Sequence, residues 1–111
     1  MMSDEEVKSM DDAGKSQKVA LEILTERFRQ ISDEGWTLEH DDEHNCNELA
    51  DAAACYALGQ PSQIIEQLWP WSIDWWKPTD KRRDLVKAGA LIVAEIERLD
   101  RVEKGQEQDN G

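Results

Sequence analysis

Positive charge is scarce in this sequence. Thirteen Lys and Arg stand against 25 Asp and Glu, for a net charge of −12. That deficit argues against direct nucleic-acid binding, since affinity for a phosphate backbone comes from cations that displace its counterions. It leaves room for cation coordination, for docking on basic protein surfaces, for mimicry of nucleic acid, and for plain solubility. Long apolar runs are absent too. None approaches the ~20 residues that span a bilayer, so no membrane partner is expected. The first residues are acidic and carry no apolar signal-peptide segment. Only two cysteines occur, Cys46 and Cys55. On one helix their spacing rises roughly 13 Å, too far for a disulfide, so lone buried thiols in a reducing cytosol fit better. Neither a Gly-x-Ser-x-Gly elbow nor a Gly-rich phosphate loop is present. No alternating apolar pattern is long enough for a strand, and no internal repeat is evident.

What is present reads as helix. Val19, Ala20, Ile23, Leu24, Phe28 and Ile31 recur at three- and four-residue steps, predicting an amphipathic helix over 16–33 that ends at Gly35. Gly35 to Glu43 reads as a loop or short turn, with Asp41 or Asp42 as a cap. A second helix, rich in alanine, is predicted over 43–58 and stops at Gly59 and Pro61. Residues 62–68 predict a short helix capped by Ser62. The last helix starts at a Thr79 or Asp80 cap and carries an inward stripe of Leu85, Ala88, Gly89, Ile92, Ile96, Leu99 and Val102. Its Ala90 and Ala94 match the small face of the second helix. Residues 1–14 and 103–111 are polar and read as disordered tails. The expected fold class is therefore all-α: a single domain over 15–102 with three main helices, a short one and a connector. So small a core makes a homo-oligomer that shares it, such as a dimeric helical bundle, a serious expectation.

Three clusters carry possible chemistry. From Asp33 to Asp51 the carboxylates are Asp33, Glu34, Glu39, Asp41, Asp42, Glu43, Glu48 and Asp51, with no Lys or Arg between them, and both histidines, His40 and His44, fall here. His44, Glu48 and Asp51 share a helix face at i,i+4 and i,i+3 spacing, which suits a hard cation such as Mg²⁺. The alternative is a solvated acidic loop and helix start. The second cluster, Lys77, Lys81, Arg82, Arg83 and Lys87, sits where the last helix begins and where positive charge opposes the helix dipole. It reads as an anion or phosphate site, or as an ion-pairing partner for the acidic run.

The third cluster is the connector Trp69-Pro-Trp-Ser-Ile-Asp-Trp-Trp-Lys-Pro78, which holds four of the five tryptophans. Trp69, Trp71, Trp75 and Trp76 either roof a small core or form a stacking platform beside Lys77 and Arg82. The two differ in one observable: a roof buries Trp71, Trp75 and Trp76 completely and leaves no cavity beside them.

Several segments together resemble a family of short proteins of tailed-phage and prophage genomes. They are Glu26-Arg-Phe-Arg-Gln-Ile31, Glu34-Gly-Trp-Thr-Leu-Glu-His-Asp-Asp-Glu-His44, Glu48-Leu-Ala-Asp-Ala-Ala-Ala-Cys-Tyr-Ala57, Trp69-Pro-Trp71, Trp75-Trp-Lys-Pro78, Arg82-Arg-Asp-Leu-Val-Lys-Ala-Gly-Ala-Leu-Ile92 and Ala94-Glu-Ile-Glu-Arg-Leu99. The resemblance covers about 26–101. It implies a phage-type accessory protein in the bacterial cytoplasm and assigns no activity. A weaker resemblance is to the all-α NTP pyrophosphatases (MazG-like), whose magnesium ligands come from a Glu-Glu-x-x-Glu helix and a later Glu-x-x-Asp helix. Glu48-Leu-Ala is similar to the end of the first motif, but His44 and Asn45 stand where paired Glu belongs. The second motif aligns near Arg83-Asp-Leu-Val-Lys87, with Lys in place of Asp.

These readings give a leading expectation and two alternatives. The first is a binder without required cofactors, engaging a host defence protein or sequestering a nucleotide-like ligand on Trp69, Trp71, Trp75, Trp76, Lys77, Lys81, Arg82, Arg83 and Lys87. The second is a divergent Mg²⁺-dependent nucleotide pyrophosphohydrolase using Glu43, His44, Glu48 and Asp51. The third is an acidic mimic of nucleic acid.

Overall fold

A computed structural model describes residues 2–43, 46–59 and 63–109. Helix α1 spans Asp4–Ser32, α2 Leu38–Asp42, α3 Glu48–Leu58, α4 Gln63–Leu68 and α5 Lys81–Asp109, with one 3₁₀ turn at Ile73–Trp75. The described residues contain no strand, and none of their helices is long and apolar enough to cross a membrane. The fold is all-α, with three main helices and a tryptophan-rich connector, as the periodicity predicts.

Both expected tails need correction where they are described. Residues 4–14 belong to α1, because Ser3 caps it: its side chain accepts the Glu6 N–H at 3.2 Å, and Asp4, Glu5 and Glu6 complement the helix dipole. Ser3-x-x-Glu6 is the spacing of a capping box. Residues 103–109 likewise extend α5.

Helix α1 stops where Gly35 adopts φ +74° and the Trp36 N–H turns back to the Gln30 carbonyl at 3.0 Å. The segment expected as a loop or short turn holds a short helix, and the predicted second helix starts later than expected. Thr37 caps α2 by accepting the His40 N–H, and α3 begins only after Asn47, which holds φ +73°. Asparagine tolerates that left-handed conformation better than most residues, so the break falls there. Asp41, expected as a cap, instead points inward to Arg27. Gly59, at φ +74°, ends α3. Ser62, expected to cap α4, lies outside the described residues. Cys46 is exposed ahead of α3, not on one helix with Cys55 as expected, and Cys55 is buried within α3.

The core forms where α3 lies on α5. Leu49, Ala52, Ala53, Cys55 and Tyr56 of α3 meet Ala88, Leu91 and Ala94 of α5, with Ile65 and Trp69 closing one end. Alanine on both sides lets the helices approach closely. The large residues Leu49, Leu91 and Ile65, each ~1.5–3 kcal/mol of burial, fill the remaining space.

The expected inward stripes are the main correction. On α5 the buried side is Asp84, Val86, Lys87, Ala88, Ala90, Leu91, Ala94 and Arg98, while Leu85, Ile92, Ile96, Leu99 and Val102 are exposed. On α1 the residues turned inward are Glu26, Arg27 and Gln30, while Val19, Leu24 and Phe28 face out, Phe28 at 69% exposure. Periodicity marks which residues share a face. It does not say which neighbour covers that face: α3 takes the other side of α5, and α5 and α2 meet the charged side of α1. The charges this turns inward pair with one another. Arg27 donates to Asp41 at 2.7 Å and to Glu97 at 3.0 Å. Helices α1 and α5 meet where Ile23 lies over Gly89, at a separation that leaves almost no room for a Cβ. Upstream of Ile23, α1 buries nothing, and the molecule is a slab of 53 × 46 × 25 Å.

Candidate ligand-binding cleft

The connector is fixed to the core by its aromatic rings. Trp69 is buried, donates its Nε1–H to the Ser72 carbonyl at 2.9 Å, and meets Tyr56 edge-on at 5.7 Å. Trp76 lies 4.7 Å from Tyr56 on another side, and the Lys77 N–H donates to the Tyr56 hydroxyl at 3.3 Å. Trp71 packs edge-on against Trp69 at 5.4 Å and reaches Trp36 at 5.8 Å. Trp75 projects outward, 45% exposed, with the Lys77 ammonium 5.3 Å from its ring.

The start of α5 clamps the other end. Asp80 accepts the Arg83 N–H at 2.9 Å and so caps the helix, as the sequence predicts. Buried Asp84 accepts the Thr79 N–H at 2.8 Å. The Lys87 ammonium donates to the Lys77 carbonyl at 2.8 Å. Burial pushes the Lys87 pKa down, and the adjacent Asp84 carboxylate opposes that shift.

Two adjoining clefts open beside this frame. One, of about 370 Å³, is lined by Glu34, Gly35, Trp36, His40, Trp71, Ser72 and Trp75. The other, of about 360 Å³, shares Glu34, Trp36 and Trp75 with the first and adds four cations, Arg29, Lys77, Arg83 and Lys87, together with Glu26, Gln30, Tyr56 and Thr79. Each is within the size range of small-molecule sites. The wall is aromatic and the floor is charged.

Glu26 organises the floor. Its carboxylate is fully buried and accepts from Arg29 Nε at 2.7 Å, from Arg29 Nη2 at 2.8 Å, and from Arg83 Nη2. Burial alone raises a carboxyl pKa, but the hydrogen bonds and charges of Arg29 and Arg83 outweigh it and hold Glu26 below its ordinary value. Arg29 also donates to Glu34 at 3.1 Å. Arg83 gives only Nη2 to Glu26. Among the described residues its Nε and Nη1 have no acceptor, and its side chain is partly open to solvent. Gln30 is buried against Glu26, and its Oε1 has no partner among the described residues.

The structure therefore divides the predicted binding residues. It brings Trp71, Trp75, Lys77, Arg83 and Lys87 to the clefts. Trp69 is core and Trp76 packs against it. Lys81 donates to the Ala57 carbonyl at 2.8 Å at the end of α3, and Arg82 pairs with Glu22 on the exposed side of α1. Sequence reasoning missed Trp36, Tyr56, Glu26, Arg29 and Gln30, and it placed Glu34 in the acidic run without linking it to the tryptophans. The i,i+3 spacing of Glu26 and Arg29 was the available signal for that pair.

Of the acidic run, Glu34 and His40 line the clefts, but the predicted metal and catalytic residues that are described, Glu43, Glu48 and Asp51, line neither. Glu48 accepts the Cys46 N–H at 2.9 Å and Asp51 accepts from Asn47 Nδ2 at 3.4 Å, both at the start of α3. Glu43 is exposed at the end of α2, and His44 lies outside the described residues. Among the described residues, no group of three His, Cys, Asp or Glu is arranged to hold a metal ion. No protein-family model, curated protein or solved structure matches the chain.

Proposed function

We propose that this chain is a binding protein of phage type, acting in the bacterial cytoplasm, that sequesters a nucleotide-like ligand: a planar ring system carrying negative charge. The observation that carries this reading is the pair of adjoining clefts, in which Trp36, Trp71 and Trp75 supply the wall and Arg29, Lys77, Arg83 and Lys87 the cations. Stacking on such a wall is worth ~1–3 kcal/mol per base. The unused donors of Arg83 suit a phosphate, which accepts charge-assisted hydrogen bonds from a guanidinium fork. Glu26 and Glu34 temper the local charge and hold Arg29 in place, so the site selects a ligand of limited charge over a polyanion.

Binding without turnover is favoured over pyrophosphate hydrolysis because Glu48 and Asp51 line neither cleft and engage their own helix start. The cleft also favours a small ligand over a host protein as the occupant of this site, because it is concave and its polar groups converge.

The test is tryptophan fluorescence and calorimetry against nucleoside mono-, di- and triphosphates and cyclic dinucleotides, with and without Mg²⁺. At least one ligand should change the emission and bind stoichiometrically without release of pyrophosphate. Trp75→Ala should weaken it by ~1–3 kcal/mol, and Arg83→Ala should weaken phosphorylated ligands more than nucleosides. Folded protein that responds to none of these ligands refutes the reading, and pyrophosphate release lost in Glu48→Ala would replace it with hydrolysis.

A further inference from the structure

Two rows of large apolar residues remain uncovered, and both follow the alternating three- and four-residue spacing of helices that pack side by side. On α1 the row is Leu21, Leu24, Phe28 and Ile31, and all but the half-buried Ile31 are exposed. On α5 it is Leu85, Ile92, Ile96 and Leu99, each about half exposed; Gly89, which falls at the same spacing, is already covered by Ile23 of α1. Such a row is the seam by which one helix lies along another. The two rows flank one place. Leu24 follows Ile23, which rests on Gly89, and Ile92 lies one turn beyond Gly89. They therefore border the crossing of α1 and α5.

We propose that this face is a homodimer interface, in which α1 and α5 of one protomer pack on α1 and α5 of a second copy. Three observations favour a second copy over another occupant. First, the exposed parts of the seven uncovered side chains and Val102 amount to on the order of 800 Å² of apolar surface, the per-partner area of a stable protein interface. Second, the two seams are the same kind of surface, apolar helix rows at three- and four-residue steps, so a two-fold axis sets the face of one copy against its equal without any other partner. Third, the chain is too open for a finished monomer. Its radius of gyration is 17.3 Å, against about 13 Å for a compact chain of this length, and the half of α1 before Leu21 buries no side chain. In proteins most helical stability comes from tertiary packing of one face, which this half of α1 lacks. This inference does not depend on the ligand reading, and its test involves no ligand.

Sedimentation equilibrium of the full chain over a range of concentrations tests it. The expected mass is twice the 12.7 kDa of one chain. The dimer should tighten as salt is added, because salt screens repulsion between two protomers that each carry −12. Phe28→Glu and Ile96→Glu should each give monomers. Ile73→Glu places the same charge on an equally exposed isoleucine of the connector and should leave the dimer intact. If a glutamate variant fails to fold, Phe28→Ala and Ile96→Ala should each raise the dissociation constant by about tenfold or more. A monomeric wild type at every concentration overturns the proposal. So does a dimer that Phe28→Glu and Ile96→Glu leave unchanged, since the copies would then meet elsewhere.

Discussion

Gly89→Ala sets two effects of opposite sign against each other at the contact between α1 and α5. Gly89 lies inside α5 with ordinary helical geometry. Intrinsic propensity therefore favours alanine by ~0.8–1 kcal/mol. Against this, an added Cβ would lie 3.0 Å from Ile23 Cδ1 and 3.2 Å from both Cγ1 and Cγ2. All three close atoms belong to one β-branched side chain. Rotating χ1 exchanges one Cγ for the other and brings little relief, so the helices must separate. Overpacking of this kind costs ~1–3 kcal/mol. The clash wins, and the net expectation is destabilisation by ~1 kcal/mol, or about 4 °C in Tm for a chain of this length. A double-mutant cycle makes the reasoning exposed to failure. In an Ile23→Ala background the three offending atoms are gone, propensity alone remains, and Gly89→Ala should stabilise by ~0.5–1 kcal/mol. Urea denaturation of the four proteins at one protein concentration measures both steps. A Gly89→Ala variant more stable than wild type, or a coupling energy near zero, refutes the argument that these two residues set the helix separation.

The remaining predictions concern buried charge. Asp41→Ala strips the buried Arg27 guanidinium of its 2.7 Å partner and should cost ~3 kcal/mol, the lower end for a broken buried pair, because Glu97 still accepts from Arg27 Nε. A urea midpoint that does not move would contradict this, and Arg27→Met with Asp41→Leu should recover much of the loss. Glu26 governs an acid transition. Its folded pKa lies below its ordinary 4.5, so its ionised form stabilises the fold above that value, and the stabilisation is lost as pH falls from about 5 through the folded pKa. Glu26→Gln should be less stable near neutrality and show a flatter pH dependence below 5. Parallel curves for variant and wild type would exclude Glu26 as the titrating group.

The sequence by itself determined the helices. Apolar periodicity located α1, α3 and α5, Gly35 and Gly59 marked two ends, and Asp80 marked a start. These signals are local: a helix needs only its own turns and caps to be recognised. Ser3-x-x-Glu6 belonged with them and was legible, although the polar residues around it read as a tail. Composition also singled out the connector, whose Trp71, Ser72, Trp75 and Lys77 line the two clefts. What only the tertiary structure decided is which side of each helix is inside. Ile23, Ala88 and Gly89 of the expected stripes do face in, but most of their large residues face out, while Glu26, Arg27, Asp84 and Lys87 face in, each with a partner on another segment. Tertiary structure likewise separated tryptophans that look alike in sequence: Trp69 into the core, Trp75 onto a cleft wall, and Trp36 beside it from another loop. Residues distant in sequence become neighbours only through packing, and periodicity along one helix carries no record of what lies across from it.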